Sequence, residues 1–216
     1  MTSTRKYELK RRADHQEETR RRIVDAAVEL HTTVGPARTS VAAIAERAGV
    51  TRPTVYAHFP DAEALFRACS GHVRATVPPP DPSPWRSIED PDERLEAALH
   101  ALYGYYARLE PLLENIQRDA PVLPVLREMS AYRVRYLEDV SEILLAGWPP
   151  SRGQARARLR RALGHALDFR TWQSLVRGQG CRTDEAVQLM LAFARAAADE
   201  KPPEPAKTPL VTDLTK

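Results

Sequence analysis

Residues 39–60 read TSVAAIAERAGVTRPTVYAHFP, and their spacing decides the fold around them. Thr39 or Ser40 caps a short helix in which Val41, Ile44, Ala45 and Ala48 are apolar or small, and Gly49 follows where the backbone needs a positive φ without a Cβ clash. Thr51 caps a second short helix that carries Val55, Tyr56 and Phe59. Two short helices joined by a glycine turn and packed through small residues such as Ala45 have the layout of a helix-turn-helix. In that layout the second helix enters a major groove by its first turn, which makes Thr51, Arg52, Pro53 and Thr54 the residues that face base edges. Arg52 is the only long donor among them and suits guanine O6 and N7, whereas the ring of Pro53 and the methyl of Thr54 suit thymine methyls. Tyr56 and His58 lie further along and suit phosphate oxygens, and the amides and hydroxyls at Thr39 and Ser40 form an anion site. A generic helical hairpin shares this local pattern; an arginine-flanked amphipathic helix at this interval before it is what a generic hairpin rarely has.

That preceding helix runs from Gln16 to about Val34, with Ile23, Ala27, Leu30 and Val34 at i, i+4, i+7 and i+11, and Gly35-Pro36 ends it. Residues 1–76 hold 13 Lys/Arg against 9 Asp/Glu, while residues 77–216 hold 19 against 20, so the basic excess of the chain lies at its front. Such an excess is a weak footprint of a polyanion, with a solvated basic helix start as the alternative.

With Thr19-Arg20-Arg21-Arg22-Ile23-Val24-Asp25-Ala26-Ala27, then residues 39–50, then Thr54-Val55-Tyr56-Ala57-His58-Phe59-Pro60 and a capped helix through Phe66, residues 17–68 resemble the N-terminal domain of the TetR/AcrR family of bacterial transcriptional regulators. More weakly, residues 164–175 are similar to the penultimate helix of many members. The resemblance implies a homodimer with three-helix DNA-binding heads, a fourth connecting helix, an all-helical ligand-binding domain, and a dimer interface made by the last two helices. It also implies that a small molecule shifts the heads and releases a palindromic operator. Residue by residue, its DNA-facing positions fall on Thr39, Ser40, Arg52, Pro53, Thr54, Tyr56 and His58. Two departures stand out. Ala62, between Asp61 and Glu63, replaces a phosphate-binding lysine found in many members, and His31 stands where a core phenylalanine is usual. The basic arm, with Arg5, Lys6, Lys10, Arg11 and Arg12, is expected to compensate for Ala62 along the DNA backbone or in a minor groove; a solubilising tail is the alternative.

The expected organisation is all-α: a flexible basic arm at 1–15, a helix-turn-helix domain at 16–60, a connecting helix with a ligand-binding and dimerisation domain at 61–200, and a disordered tail at 201–216. A proline-rich connector at 78–84 divides the two parts. Asp90-Pro91-Asp92-Glu93 opens a helix that Pro111 punctuates, another runs from Pro121–Pro124 to Ala146, and the last two span about 151–177 and 183–199. Leu99, Tyr103, Tyr106, Met129, Tyr132, Tyr136, His165, Phe169, Trp172 and Gln173 are the candidate ligand-binding residues, though aromatic stripes at helical spacing are also what a bundle core needs. A moderately polar aromatic or hydrophobic ligand suits the tyrosines, and a lipophilic cation equally suits Tyr, Trp and Asp168. Dimerisation is expected through Ala155, Leu159, Ala162, Leu163, Ala166 and Leu167 on one helix and Ala186, Leu189, Met190, Phe193, Ala196 and Ala197 on the next, which carry more apolar surface than one bundle face consumes.

An enzyme and a helical adaptor that has lost DNA binding are the rival classes. The six histidines form no HExxH or Cys/His cluster, no glycine-rich phosphate loop or nucleophile elbow occurs, and Glu96/His100 is an isolated i, i+4 pair. No cofactor, metal or catalytic residue is expected. Cys69 and Cys181 read as reduced thiols, and with no apolar leader or span in the sequence a cytoplasmic location is the default expectation.

Overall fold

The structure, a computed structural model, describes residues 2–148 and 153–199, including side chains except those of 2–6, 9, 128 and 129. The described residues are helical with no strand: α1 (Thr2–Thr33), α2 (Val41–Ala48), α3 (Arg52–His58), α4 (Ala62–Thr76), α5 (Pro91–Asp119), α6 (Pro124–Met129), α7 (Ala131–Gly147), α8 (Gln154–Ala166), α9 (Phe169–Gln173) and α10 (Thr183–Asp199). They form an N-terminal helix-turn-helix domain followed by a helical C-terminal domain. Two compact units divide the chain, one built from residues up to Asp81 with Ala101–Leu137, the other from Pro82–His100 with Glu138 onward. Helix α5 contributes residues to both units.

In the first unit the face of α1 read from the sequence is buried, with Ile23 and Ala27 fully enclosed against Ile44, Ala45 and Ala48 of α2, Val55 of α3 and Leu65 of α4. Each large aliphatic buried here contributes about 1.5–3 kcal/mol. Helix α1 is longer than the sequence reading allowed: the expected flexible arm at 1–15 continues the helix from Thr2. Neither Gly nor Pro occurs between Thr2 and Thr33, the segment is rich in Lys, Arg, Glu and Gln, and the packed half supplies the nucleus onto which it extends.

The far end of α1 is tied to α5 by polar side chains. Asn115 Nδ2 donates to the carbonyls of His31 at 3.1 Å and Thr32 at 2.8 Å, and Arg118 Nη2 donates to Val34 O at 3.0 Å. Asp119 accepts the Ala37 N–H at 2.9 Å and pairs with Arg118 Nε at 2.8 Å; that guanidinium holds the buried carboxyl below its ordinary range. The link needs Gly35, whose φ is 94° and whose position leaves no room for a Cβ beside Asp119 Oδ2, at 2.7 Å.

Three helix boundaries differ from expectation. Pro111 lies inside α5, because burial of Leu109, Leu112 and Leu113 around it offsets the roughly 3 kcal/mol an internal proline costs. The helix expected to run from Pro121–Pro124 to Ala146 breaks at Ser130, whose hydroxyl donates to Leu126 O at 2.7 Å, a back-bond that competes with regular helix. The expected 151–177 helix breaks at Asp168, which caps α9 by accepting the Arg170 N–H at 2.6 Å, and a π-turn (Ser174–Gly178) follows. The connector at 78–84 runs into a 3-10 turn (Ser83–Ser87) that buries Trp85. The tail at 201–216 lies outside the described residues.

The second unit packs α8 against α10 through buried Leu159, Ala162, Leu163 and Ala166 on one helix and Ala186, Val187, Leu191 and Ala194 on the other. Arg94, also buried, donates to Ile88 O from Nε at 2.8 Å and to Ile143 O from Nη1 at 2.9 Å, against Gly147, where a Cβ would meet the guanidinium at 2.8 Å.

Candidate functional site

The helix-turn-helix is fixed by caps that satisfy its own backbone. Ser40 Oγ accepts the Ala43 N–H at 3.1 Å at the start of α2, leaving its proton to donate outward. Gly49 closes α2 in the left-handed conformation, φ 65°, and its carbonyl takes Arg22 Nη2 at 3.1 Å; the same guanidinium also binds Ala48 O. Thr51 Oγ1 accepts the Thr54 N–H at 3.3 Å and lies 2.8 Å from Thr54 Oγ1. Beneath α3, Phe59 is buried with the Arg20 guanidinium 4.4 Å above its ring, and Arg20 Nη1 donates to His58 O at 3.4 Å.

This scaffold leaves Thr51, Arg52, Pro53 and Tyr56 exposed and Thr54 and His58 half-buried on α3 and its cap. Arg52 and Tyr56 make no ion pair or side-chain hydrogen bond among the described residues, so the donor and the phenol stand available at the surface. The hydroxyls of Thr51 and Thr54 engage each other, and Thr39 Oγ1 donates to Gly35 O at 2.8 Å. Ala62 is the exposed first residue of α4, capped by Asp61 accepting the Ala64 N–H at 2.7 Å. Lys10, Arg11 and Arg12 are exposed along the extended α1, with the Arg11 guanidinium 6.0 Å from the Tyr7 ring. The side chains of Arg5 and Lys6 lie outside the described residues. Arg20 and Arg22, which brace α3 and the turn, were missed by sequence reasoning; one arginine in a basic run carries no local mark of the carbonyl it reaches.

The second feature of the first unit is an apolar cavity of about 140 Å³ between α1, α4, α5, α6 and α7. Tyr106, Tyr132 and Tyr136, among the candidates read from the sequence, line it together with His31, Phe66, Cys69, Tyr105, Arg74 and Arg133. Tyr103 is buried in the helical core of the same unit without lining the cavity, and the Met129 side chain lies outside the described residues. Leu99, His165, Phe169, Trp172 and Gln173 belong to the second unit: Leu99, Phe169 and Trp172 are core, and exposed His165 meets Phe193 edge-on at 5.7 Å. Tyr136 Oη donates to Pro80 O at 2.8 Å, which anchors one wall.

His31 is stacked on Phe66 at 4.9 Å, and burial lowers its pKa to about 4 against the opposing field of Asp119, so it is a neutral ring in the position where an aromatic was expected. Burial pushes the Cys69 thiol up to about 12, which keeps it protonated and unreactive. The phenols of Tyr105 and Tyr136 are likewise raised by burial. No group of three metal-ligating side chains occurs among the described residues; His100 sits 3.9 Å from Glu96 and 4.0 Å from Asp184 at the surface. Nor is any described helix long and apolar enough to cross a membrane.

Residues 23–69 match the model of bacterial regulatory proteins of the tetR family. The HTH-type transcriptional regulator AcrR of Shigella flexneri is 46% identical over 50 residues, 23% of each chain. The HTH-type transcriptional regulator TtgR of Pseudomonas putida is 42% identical over 68 residues, 32% of each chain. The matched stretches thus span under a third of the length of these curated relatives. Over the longer chain the likeness is one of fold. A TetR-like transcriptional regulator from Rhodococcus sp. RHA1 superposes with a TM-score of 0.60 at 21% identity, covering 85% of this chain and 97% of that one. A TetR family transcription regulator from Marinobacter aquaeolei VT8 gives 0.56 at 21% identity, covering 86% and 97%.

Proposed function

Because the first domain of this chain belongs to the TetR family of bacterial regulatory proteins, we propose that the protein is a DNA-binding transcriptional regulator, a repressor whose homodimer binds a palindromic operator and leaves it when a small molecule enters the cavity of the first unit. The observation that carries this reading is the exposed turn of α3. Arg52, Pro53 and Tyr56 face solvent on a helix whose caps and core are satisfied without them. A residue free of structural duty on a major-groove helix is suited to base and phosphate contacts. Ser40, with its proton available at the N-terminus of α2, adds a phosphate donor.

The dimer surface proposed is the outer face of α10. Leu189 and Phe193 are 49% and 45% exposed, Ala196 is exposed beside them, and the edge of His165 extends the apolar strip onto α8. An apolar strip of this kind suits burial against a second copy across a two-fold axis. Release follows from the composition of the cavity wall: α1 and α4, which form the head core with α2 and α3, are two of its sides. An occupant that displaces Phe66 or His31 therefore acts on the helices that hold α3.

The test is titration of the purified protein into labelled DNA from upstream of its own gene, at several salt concentrations. Salt-dependent, sequence-selective binding by a dimer is expected, weakened and less selective in Arg52→Ala. Binding that is absent, or unchanged by Arg52→Ala, contradicts the proposal. Phe193→Glu is expected to give a monomer by light scattering and to weaken operator binding with it.

A further inference from the structure

The cavity of the first unit carries a charge pattern that identifies the class of its occupant, a step that rests on its being the effector site. Its lining contains no Asp or Glu, yet it contains two arginines, Arg74 of α4 and Arg133 of α7, both half-buried. Neither makes an ion pair or a hydrogen bond to a carboxylate among the described residues, whereas Arg47, Arg67, Arg160 and Arg195 all do. Arg74 instead lies over the Tyr132 ring at 4.7 Å, and the phenol of Tyr105 has Arg133 and Arg74 among its charged neighbours. Two guanidiniums and two phenols therefore gather in a wall that is otherwise largely aliphatic and aromatic.

A half-buried guanidinium with no counter-ion has lost part of its hydration without a charged partner in return, and for Arg74 the face of Tyr132 offsets only part of that loss. In an apolar cavity with no carboxylate among its lining residues, where Asp81 reaches only as a charged neighbour of Tyr136, the field of two such groups is poorly screened. An anion entering there restores the missing partner, and a planar carboxylate matches the guanidinium fork. A cation entering the same space meets two like charges in the wall and no carboxylate among the lining residues, which disfavours the lipophilic cation admitted by the sequence.

We infer that the occupant is a lipophilic monoanion, with an apolar body among Phe66, Leu109 and Leu113 and a carboxylate or equivalent head held by Arg133 and Arg74. The available space, about 140 Å³, fits a body of roughly one substituted ring or a short chain. Tyr105 donates a hydrogen bond to the same head.

The experiment compares two matched series on the full chain: phenylacetate, 2-phenylacetamide and 2-phenylethylamine, then octanoate, octanamide and octylamine. Thermal melting gives an apparent dissociation constant for each, and operator-bound protein reports release. Within each series the acid is expected to bind at least about tenfold more tightly than the amide, and the amine not at all over the same range. Arg74→Gln and Arg133→Gln, singly and together, are expected to bring the acid to within about twofold of the amide while the amide's own affinity persists, with circular dichroism checking that each variant is folded. An amide or amine that binds as well as its acid overturns the charge inference and leaves the cavity reading standing. So does an acid preference that survives the double substitution. If none of the six compounds shifts the melting of the wild-type chain, the effector-site reading fails, and the charge inference falls with it.

Discussion

The exposed face of α3 and the cavity of the first unit both present arginines with no acidic partner, and they do so for opposite physical reasons. Arg52 is exposed on a short helix whose caps, turn glycine and buried Val55 are complete without it, so water solvates its charge until a partner replaces that water. Arg74 and Arg133 stand half-buried among apolar side chains, where water is a poorer substitute. The first arrangement is an open surface that tolerates many partners and discriminates by hydrogen-bond geometry. The second is a confined space that discriminates first by the sign of charge. A chain that joins them through α1 and α4 has the parts needed to let one binding event report on the other.

Substitutions can break this contrast, and the largest effect is expected in the packed layer under α3. Phe59→Ala removes a buried ring and its contact with Arg20, and should cost about 3–5 kcal/mol, read as a drop in melting temperature with loss of DNA binding. Next comes pH. The pKa of His31 is lowered in the fold to about 4 from an ordinary 6.5, so the unfolded chain takes up a proton first as pH falls. Stability should decline from pH 6.5 to about 4, by about 3 kcal/mol in all, and stay level with respect to this residue below that. His31→Phe should remove that part of the decline in urea titrations while keeping the stack on Phe66. A slope unchanged by the substitution would show that His31 does not carry it.

Arg52→Ala tests the exposed face of α3. It should lose about 1–3 kcal/mol of specific binding by fluorescence anisotropy with the melting temperature unmoved, because the side chain supports nothing in the fold. The smallest effect is expected from Ser40→Ala, about 1 kcal/mol of stability from the lost cap on α2, together with a modest uniform weakening of binding to any DNA.

The same contrast explains what could be read in the sequence. The helix-turn-helix was legible because its signals are local: Ser40 and Thr51 cap within three residues, Gly49 marks its own turn, and Ile23, Ala27, Ile44 and Val55 repeat at helical spacing. The cavity was legible only in fragments. Tyr106, Tyr132 and Tyr136 were proposed for their type, but Tyr105, Arg74, Arg133 and Phe66 meet them only through the packing of five helices, which no local pattern encodes. His165, Phe169 and Trp172 have the same aromatic spacing and lie in the other unit. Helix ends showed the same limit: Pro111 failed to stop α5 because buried leucines flank it, and Asp168 broke an apolar run by capping. At α1, the basic composition that suggested a loose arm also describes a good exposed helix.

The α3 face is proposed to bind DNA, and filling the cavity of the same unit to release it. The most direct measurement is fluorescence anisotropy of labelled upstream DNA bound by the full chain while phenylacetate or octanoate is titrated in, for wild type and for the Arg74→Gln/Arg133→Gln variant. Salt-dependent binding is expected, with release by the acids from wild type and release from the variant only at concentrations at least about tenfold higher. Binding that no acid, amide or amine of either series reverses, or release that proceeds identically in wild type and variant, would contradict that proposal.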